Sequence, residues 1–270
     1  MSTAVTAPAI EAPARTGPGR AAIIGAGGGI GWACVSAFAQ AGWAVTAADI
    51  DGAAAQETIA TASPPAIGDH TALALDSTDP VAVGKMADAA EGIDAVVYCA
   101  GIAATMPIAQ TDFAIWRKVM AVNLDGAAIV ASAFARSMIA RDRGGAMVFV
   151  SSAAGQRGEA NASAYCASKF GLIGLVQSIA AELTAHRIRV NAVAPGNVDT
   201  PMLRDVAHSI AALGEDDVDR VWQALSTAGA ARRLIEPAEV AHVCLALCSP
   251  GFSGVTGATL PVDGGYLLSP

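Results

Sequence analysis

The sequence predicts a single α/β domain: a doubly wound, mostly parallel sheet of seven strands with helices on both faces. Three observations predict it. From residue 21 onward, short apolar runs alternate with longer stretches of helical period. The short runs are apolar nearly throughout, as strands are when helices cover both faces of a parallel sheet. No composition break, linker or internal repeat divides residues 20–270, so one domain is the economical reading.

The elements follow in order. Residues 1–19 are mostly Ala, Pro, Thr and Gly without a periodic apolar face, and read as a disordered tail. A strand at 21–25 runs into a glycine-rich turn and a helix near 30–41, and a strand at 43–48 precedes a helix at 52–62. Strands at 71–75 and 95–98 flank a helix at 80–91, where Pro80 sits in the first turn that proline tolerates. A long helical stretch at 112–140 leads to a strand at 146–151, and another at 164–185 leads to a strand at 188–193. Pro237 opens a helix at 237–248, and 258–262 supplies the seventh strand.

Composition narrows the function classes. Hydrophobic residues make up 53% and charged residues 15%, against about 25% charged in an average soluble domain. That balance excludes intrinsic disorder of the whole chain and favours a buried subunit interface. A net charge of -8 repels phosphate backbones, so nucleic acid is not an expected partner. Five cysteines without a C-x-x-C pair fit a reducing, cytoplasmic setting. Residues 21–48 are uncharged and long enough to span a bilayer. Their six glycines break a spanning helix, and no basic segment precedes an apolar run, so neither a membrane span nor a secretory signal is expected. The four histidines lack metal-like spacing, so no metal is expected.

The turn after the first strand reads Gly25-Ala26-Gly27-Gly28-Gly29-Ile30-Gly31. It fits G-x-x-x-G-x-G through Gly25, Gly29 and Gly31, around Ile30, at the place where a Rossmann-type domain brings backbone N–H groups to a pyrophosphate. Asp49 ends the second strand, where a carboxylate accepts hydrogen bonds from an adenosine ribose. It repels a 2′-phosphate, and no Arg or Lys lies between Gly25 and Lys85 to welcome one, so NAD is the expected cofactor. Asp51 is the better-placed cap for the next helix.

Tyr165 and Lys169 stand four residues apart and share a helix face. With three Tyr and three Lys in the chain, such a pair arises by chance roughly once in thirty sequences. Ser152 lies at the carboxyl end of a strand, the edge of an α/β sheet where ligands bind.

The ordered set of motifs resembles the short-chain dehydrogenase/reductase family over nearly the whole chain. It comprises the glycine turn, Asp49, Leu75-Asp76, Cys99-Ala100-Gly101, Val122-Asn123, Ser152, Tyr165-x-x-x-Lys169, Pro195-Gly196 and Pro261-Val262-Asp263-Gly264-Gly265. The resemblance implies that Tyr165 exchanges a proton with the substrate oxygen while a nicotinamide exchanges a hydride with its carbon. Tyr titrates near 10, so service at neutral pH needs roughly 4 kcal/mol of phenolate stabilisation, expected from Lys169 and the nicotinamide. It further implies that Ser152 polarises the same oxygen and that Asn123 positions a water linking Lys169 to solvent. On the cofactor side it implies contacts from Ile50 beside Asp49, Asp76 with Ser77, Ala100, Gly101, Pro195, Gly196, Val198 and Thr200, besides Tyr165 and Lys169.

The family places its variable substrate lid at about 200–233, and one amphipathic helix is expected there. Arg157 and Arg204 are expected at the solvated surface rather than on a substrate carboxylate, which favours an uncharged secondary alcohol or ketone. The family's dimer-forming helices correspond to 112–140 and 164–185, so a homotetramer is expected. Two residues depart from the family pattern: Ile24 replaces a Thr, and Tyr98-Cys99 replaces Asn-Asn. A non-catalytic NAD-binding protein on the same fold is the competing reading; the complete Asn123, Ser152, Tyr165 and Lys169 set argues against it.

Overall fold

The computed structural model describes residues 19–62, 69–90 and 92–268. Seven strands form one sheet in the order β3-β2-β1-β4-β5-β6-β7: β1 (Arg20–Ile24), β2 (Ala44–Asp49), β3 (Thr71–Ala74), β4 (Ile93–Tyr98), β5 (Gly145–Val150), β6 (Ile188–Pro195) and β7 (Thr259–Val262). Every neighbouring pair is parallel, so the mostly parallel sheet of the sequence reading is parallel throughout. Residues 1–18 of the expected tail lie outside the described residues. Gly19, assigned to the tail, belongs to the domain: it is buried, and its carbonyl accepts from the Ala44 N–H at 3.0 Å.

Alternation along the strands builds two cores. Ala21, Ile23, Ala95 and Val97 face one side of the sheet, where they meet α1 (Gly29–Gln40) and α9 (Pro237–Cys248). Ala22, Ile24, Val96 and Tyr98 face the other, under α3 (Pro80–Ala89), α5 (Gly126–Arg141) and α6 (Ser163–Leu183). Because both faces are covered, the strands carry no polar face. α2 (Gly52–Ala62) follows β2, with Asp51 accepting from Ala53 and Ala54 N–H at 2.9 and 3.2 Å as expected of its cap. Phe113–Arg141 and Ser163–His186 are long and apolar enough to cross a membrane, and in this fold both pack apolar residues onto the sheet.

Two elements differ from the sequence reading. The stretch expected as one helix at 112–140 is α4 (Phe113–Met120), a wide π turn at Ala121–Asp125, and α5. The lid holds two helices, α7 (Pro201–Gly214) and α8 (Val218–Ser226). The acidic patch explains the break: Glu215 takes a left-handed conformation (φ 50°), and Asp217 caps α8 by accepting from Asp219 N–H at 3.2 Å. Ala207, Ala211 and Val221 give the lid its own small core, with Trp222 and Leu225 packed against it.

Candidate active site

The strand order reverses between β1 and β4, and the crevice outside the carboxyl ends at that point is where such sheets bind ligands. One cavity of about 180 Å³ opens there. Its lining brings together Ile30, Gly101, Ser152, Tyr165, Lys169, Pro195, Gly196, Val198 and Thr200.

The glycine turn forms a tight cradle. Gly25 has φ 81°, and a Cβ there would come 2.4 Å from the Ala100 nitrogen. A Cβ on Gly31 would come 1.9 Å from the Gly25 carbonyl oxygen. These contacts press α1 against the end of β1 and place Ala100 under the turn. Gly28 caps α1 without a side-chain hydrogen bond, which leaves the helix N-terminus as an anion-binding end. Asp49 holds the cradle from the side: its Oδ2 accepts from Gly27 N–H at 2.8 Å and its Oδ1 from Asp51 N–H at 3.0 Å. Ile50 beside it is 75% exposed, an apolar cover without charge. The cradle, the uncapped helix end and the strand-end carboxylate fit a dinucleotide.

Asp76 uses Oδ1 to accept from the Thr78 N–H and hydroxyl, at 2.8 and 2.7 Å, and these bonds lower its pKa. The helix cap beside it is Asp79, which accepts from the Val81 and Ala82 N–H groups. Ser77, expected among the cofactor contacts, follows Asp76 in the turn after β3. Its hydroxyl is buried 3.1 Å from the Tyr98 hydroxyl, behind the sheet end. Thr200 lines the cavity but is also the N-cap of α7, accepting from Leu203 N–H at 3.4 Å and donating to the Val198 carbonyl at 3.3 Å.

Tyr98, one of the departures from the family pattern, anchors the π turn. Its hydroxyl donates to the Val122 carbonyl at 2.6 Å, so the Ser77 hydroxyl is the donor in their contact. Room for this comes from Gly126, where a Cβ would meet the Tyr98 oxygen at 2.6 Å. Tyr98→Phe keeps the ring but strands the Val122 carbonyl and the Ser77 hydroxyl. That substitution is expected to lower unfolding free energy by about 1–3 kcal/mol in denaturant titrations; an unchanged midpoint would contradict the anchor.

The π turn presents Asn123, which is fully buried. Its Oδ1 accepts from Ile102 N–H at 2.8 Å, while Nδ2 donates to the Ile102 carbonyl at 2.9 Å and the Ser168 oxygen at 3.0 Å. The side chain thus clamps the segment after β4 against α6, next to Lys169. A Cβ on Gly101 would lie 3.4 Å from both the Asn123 Oδ1 and the Lys169 Nζ.

Tyr165 and Lys169 lie on the cavity face of α6, with Nζ 5.6 Å from the phenol ring centre. Lys169 is 3% exposed and donates to the Val150 carbonyl at 2.9 Å. Burial pushes its pKa down to about 8, against a smaller opposing effect of Cys99. Burial pushes Tyr165 up to about 12; the Ser152 hydroxyl hydrogen-bonded to it pulls the other way, and Glu159 and Cys166 add to the rise. Within the chain alone, desolvation of the phenolate outweighs the opposing Ser152 hydrogen bond. Cys166 packs as a small hydrophobe, with Glu159 N–H on its sulfur at 3.3 Å.

Sequence reasoning missed Glu159, Tyr266 and Asn197, which also line the cavity. Glu159 stood out as one of two charges between Ser152 and Tyr165; Tyr266 reaches the site only through the turn after β7. Arg204 pairs with Asp199 at 2.9 Å over the Trp222 ring, and Arg157 stacks on Tyr266 at 4.6 Å. Neither arginine is among the cavity-lining residues.

Residues 25–267 match the family model described as enoyl-(acyl carrier protein) reductase. A galactitol 2-dehydrogenase (L-tagatose-forming) of Cereibacter sphaeroides is 38% identical over 254 residues, covering 92% of this chain and 94% of that protein. The human (3R)-3-hydroxyacyl-CoA dehydrogenase is 33% identical over 259 residues, covering 92% of this chain and 95% of its own length. A variant actinorhodin polyketide ketoreductase solved with NADPH superposes with TM-score 0.87 at 26% identity, over 92% of this chain and 97% of that one. With the glycine cradle and the Ser, Tyr and Lys side chains gathered in one cavity, the chain belongs to the short-chain dehydrogenase/reductase family and is an oxidoreductase acting on CH–OH groups with a nicotinamide cofactor.

Proposed function

We propose that the chain is an NAD-preferring dehydrogenase that interconverts an uncharged secondary alcohol and its ketone, with Tyr165 as general acid and base. The observation that carries this reading is the meeting of Ser152, Tyr165 and Lys169 in the cavity that Ile30 of the glycine turn also lines. A bound nicotinamide supplies or accepts the hydride. In reduction, the Tyr165 hydroxyl donates its proton to the carbonyl oxygen while the Ser152 hydroxyl bonds the same oxygen. Lys169 faces the phenolate left behind and stabilises it, and oxidation runs these steps in reverse. Asn123 positions Lys169 by holding the neighbouring segment in place. Asp49 supports NAD over NADP, since its carboxylate borders the glycine cradle at the end of β2 without a basic neighbour in sequence from Gly25 to Lys85. The absence of any cation but Lys169 among the described lining residues supports an uncharged substrate. All five cysteines are free thiols, in keeping with a cytoplasmic protein.

A screen of NAD⁺ reduction across secondary alcohols, sugars and hydroxysteroids tests the reading. Steady NADH formation with at least one of them is expected. NAD⁺ binding by calorimetry without turnover on any of them would favour a cofactor-binding protein instead.

We also propose a homotetramer. Phe113 is 62% exposed and Phe170 46%, on helices α4 and α6 that pack against each other. Apolar side chains left in water on adjoining helices mark an interface. Light scattering at micromolar concentration is expected to return four times the chain mass; a monomer would contradict it.

A further inference from the structure

Between Ser152 and Tyr165 the sequence carries two charges, Arg157 and Glu159, and the fold brings both onto Tyr266. Arg157 lies over the Tyr266 ring, 4.6 Å from its centre, and hydrogen-bonds the Tyr266 hydroxyl from outside the cavity lining, whereas Glu159 lines the cavity. The Tyr266 hydroxyl donates to Glu159 Oε1 at 3.0 Å, and the Glu159 N–H is tied to the Cys166 sulfur at 3.3 Å. The carboxylate is therefore held at both its backbone and its head.

Among the described lining residues, Glu159 and Lys169 are the charged ones. Lys169 is committed to the Val150 carbonyl beside Tyr165. The lid wall is apolar, built from Met202, Leu203, Val206, Ile210 and Leu225. Glu159 is half-buried, and its carboxylate is acceptor-only with several lone pairs. One donor from Tyr266 leaves it able to accept another. The chemistry that completes it is an uncharged substrate carrying a second O–H group.

Resting on the alcohol–ketone reading above, we propose that Glu159, braced by Tyr266, is a specificity-determining residue that accepts a hydrogen bond from a second hydroxyl of the substrate. The preferred substrates are then diols and polyols. Carboxylate-bearing alcohols are disfavoured, because they bring like charge toward Glu159.

The test compares kcat/KM for cyclohexanol, the positional isomers of cyclohexanediol, 2-aminocyclohexanol and a hydroxycyclohexanecarboxylate, in the wild type, Glu159→Gln and Glu159→Leu. A hydrogen bond to a charged group implies a wild-type preference for the best diol over cyclohexanol of about tenfold or more. That ratio is expected to shrink in Glu159→Gln and fall to about one in Glu159→Leu. The carboxylate is expected to rank below cyclohexanol in the wild type and to recover ground in Glu159→Gln. A wild-type ratio near one, or a ratio unchanged in Glu159→Leu, overturns the proposal; so does a preference for the amino alcohol over every diol. Should both variants fail to fold, the wild-type ranking decides alone. If the wild type oxidises none of these compounds or the wider alcohols, the alcohol–ketone reading falls first and carries this one with it.

Discussion

Tyr165→Phe is expected to cut turnover by about 10³-fold while leaving NAD⁺ affinity within a small factor. The phenyl ring still fills its place on α6, but the exchangeable proton is gone, and general acid–base catalysis contributes about 10²–10⁴. Stopped-flow or steady-state turnover with calorimetric NAD⁺ binding separates the two effects. A variant that keeps most of its activity would make Tyr165 structural. The wild-type pH profile follows from the same group. Burial holds Tyr165 up at about 12, so its basic form is scarce at neutral pH. Alcohol oxidation, which needs that form, should therefore rise with pH, while ketone reduction, which needs the phenol, should not. Above about 8 the rise should flatten as Lys169 loses the charge that favours the phenolate.

The second large effect concerns cofactor choice. The wild type is expected to favour NAD(H) over NADP(H) by at least about 2 kcal/mol, roughly thirtyfold in kcat/KM. Two hydrogen bonds to a carboxylate favour the ribose hydroxyls, whereas a 2′-phosphate brings like charge to close range. Asp49→Ser with Ile50→Arg should shrink or reverse the preference. Part of the change will come as lost NAD activity rather than gained NADP activity. Asp49 also fastens Gly27 and Asp51 through their N–H groups at 2.8 and 3.0 Å, and serine reaches both poorly. Equal use of both cofactors by the wild type would show that Asp49 does not govern the ribose end.

What the sequence made legible was whatever is written locally. Apolar runs marked all seven strands to within a few residues, because a sheet covered on both faces is apolar along most of each strand. The G-x-x-x-G-x-G spacing identified Gly25 and Gly31: Gly31 needs glycine because the backbone of its own turn approaches it, and Gly25 because of its positive φ and the approach of Ala100. Tyr165 and Lys169 were legible because four residues on a helix is a fixed geometry.

The parts that stayed hidden depend on distant contacts. The π turn at Ala121–Asp125 has no local composition to mark it; it is held by Tyr98, from a strand more than twenty residues earlier. That same residue read only as a departure from the family pattern, and its contact with the Ser77 hydroxyl joins residues far apart in the chain. The lid break was encoded in Glu215-Asp216-Asp217, but an acidic run on an amphipathic segment reads equally as a solvated helix face. Glu159 and Tyr266, far apart in the chain, meet only when the turn after β7 folds over the site. The direction of the Tyr165 shift depends on burial, which spacing does not report.

Hydride transfer between a carbinol carbon and a nicotinamide can be followed by isotope tracing. The enzyme would be incubated with NAD⁺ and the best alcohol found in the screen, carrying deuterium on its carbinol carbon. The isolated NADH would then be weighed by mass spectrometry. One deuterium per reduced nicotinamide, with ketone formed in equal amount, is the predicted result. NADH without deuterium, or ketone formed while the label passes to water, would contradict the account.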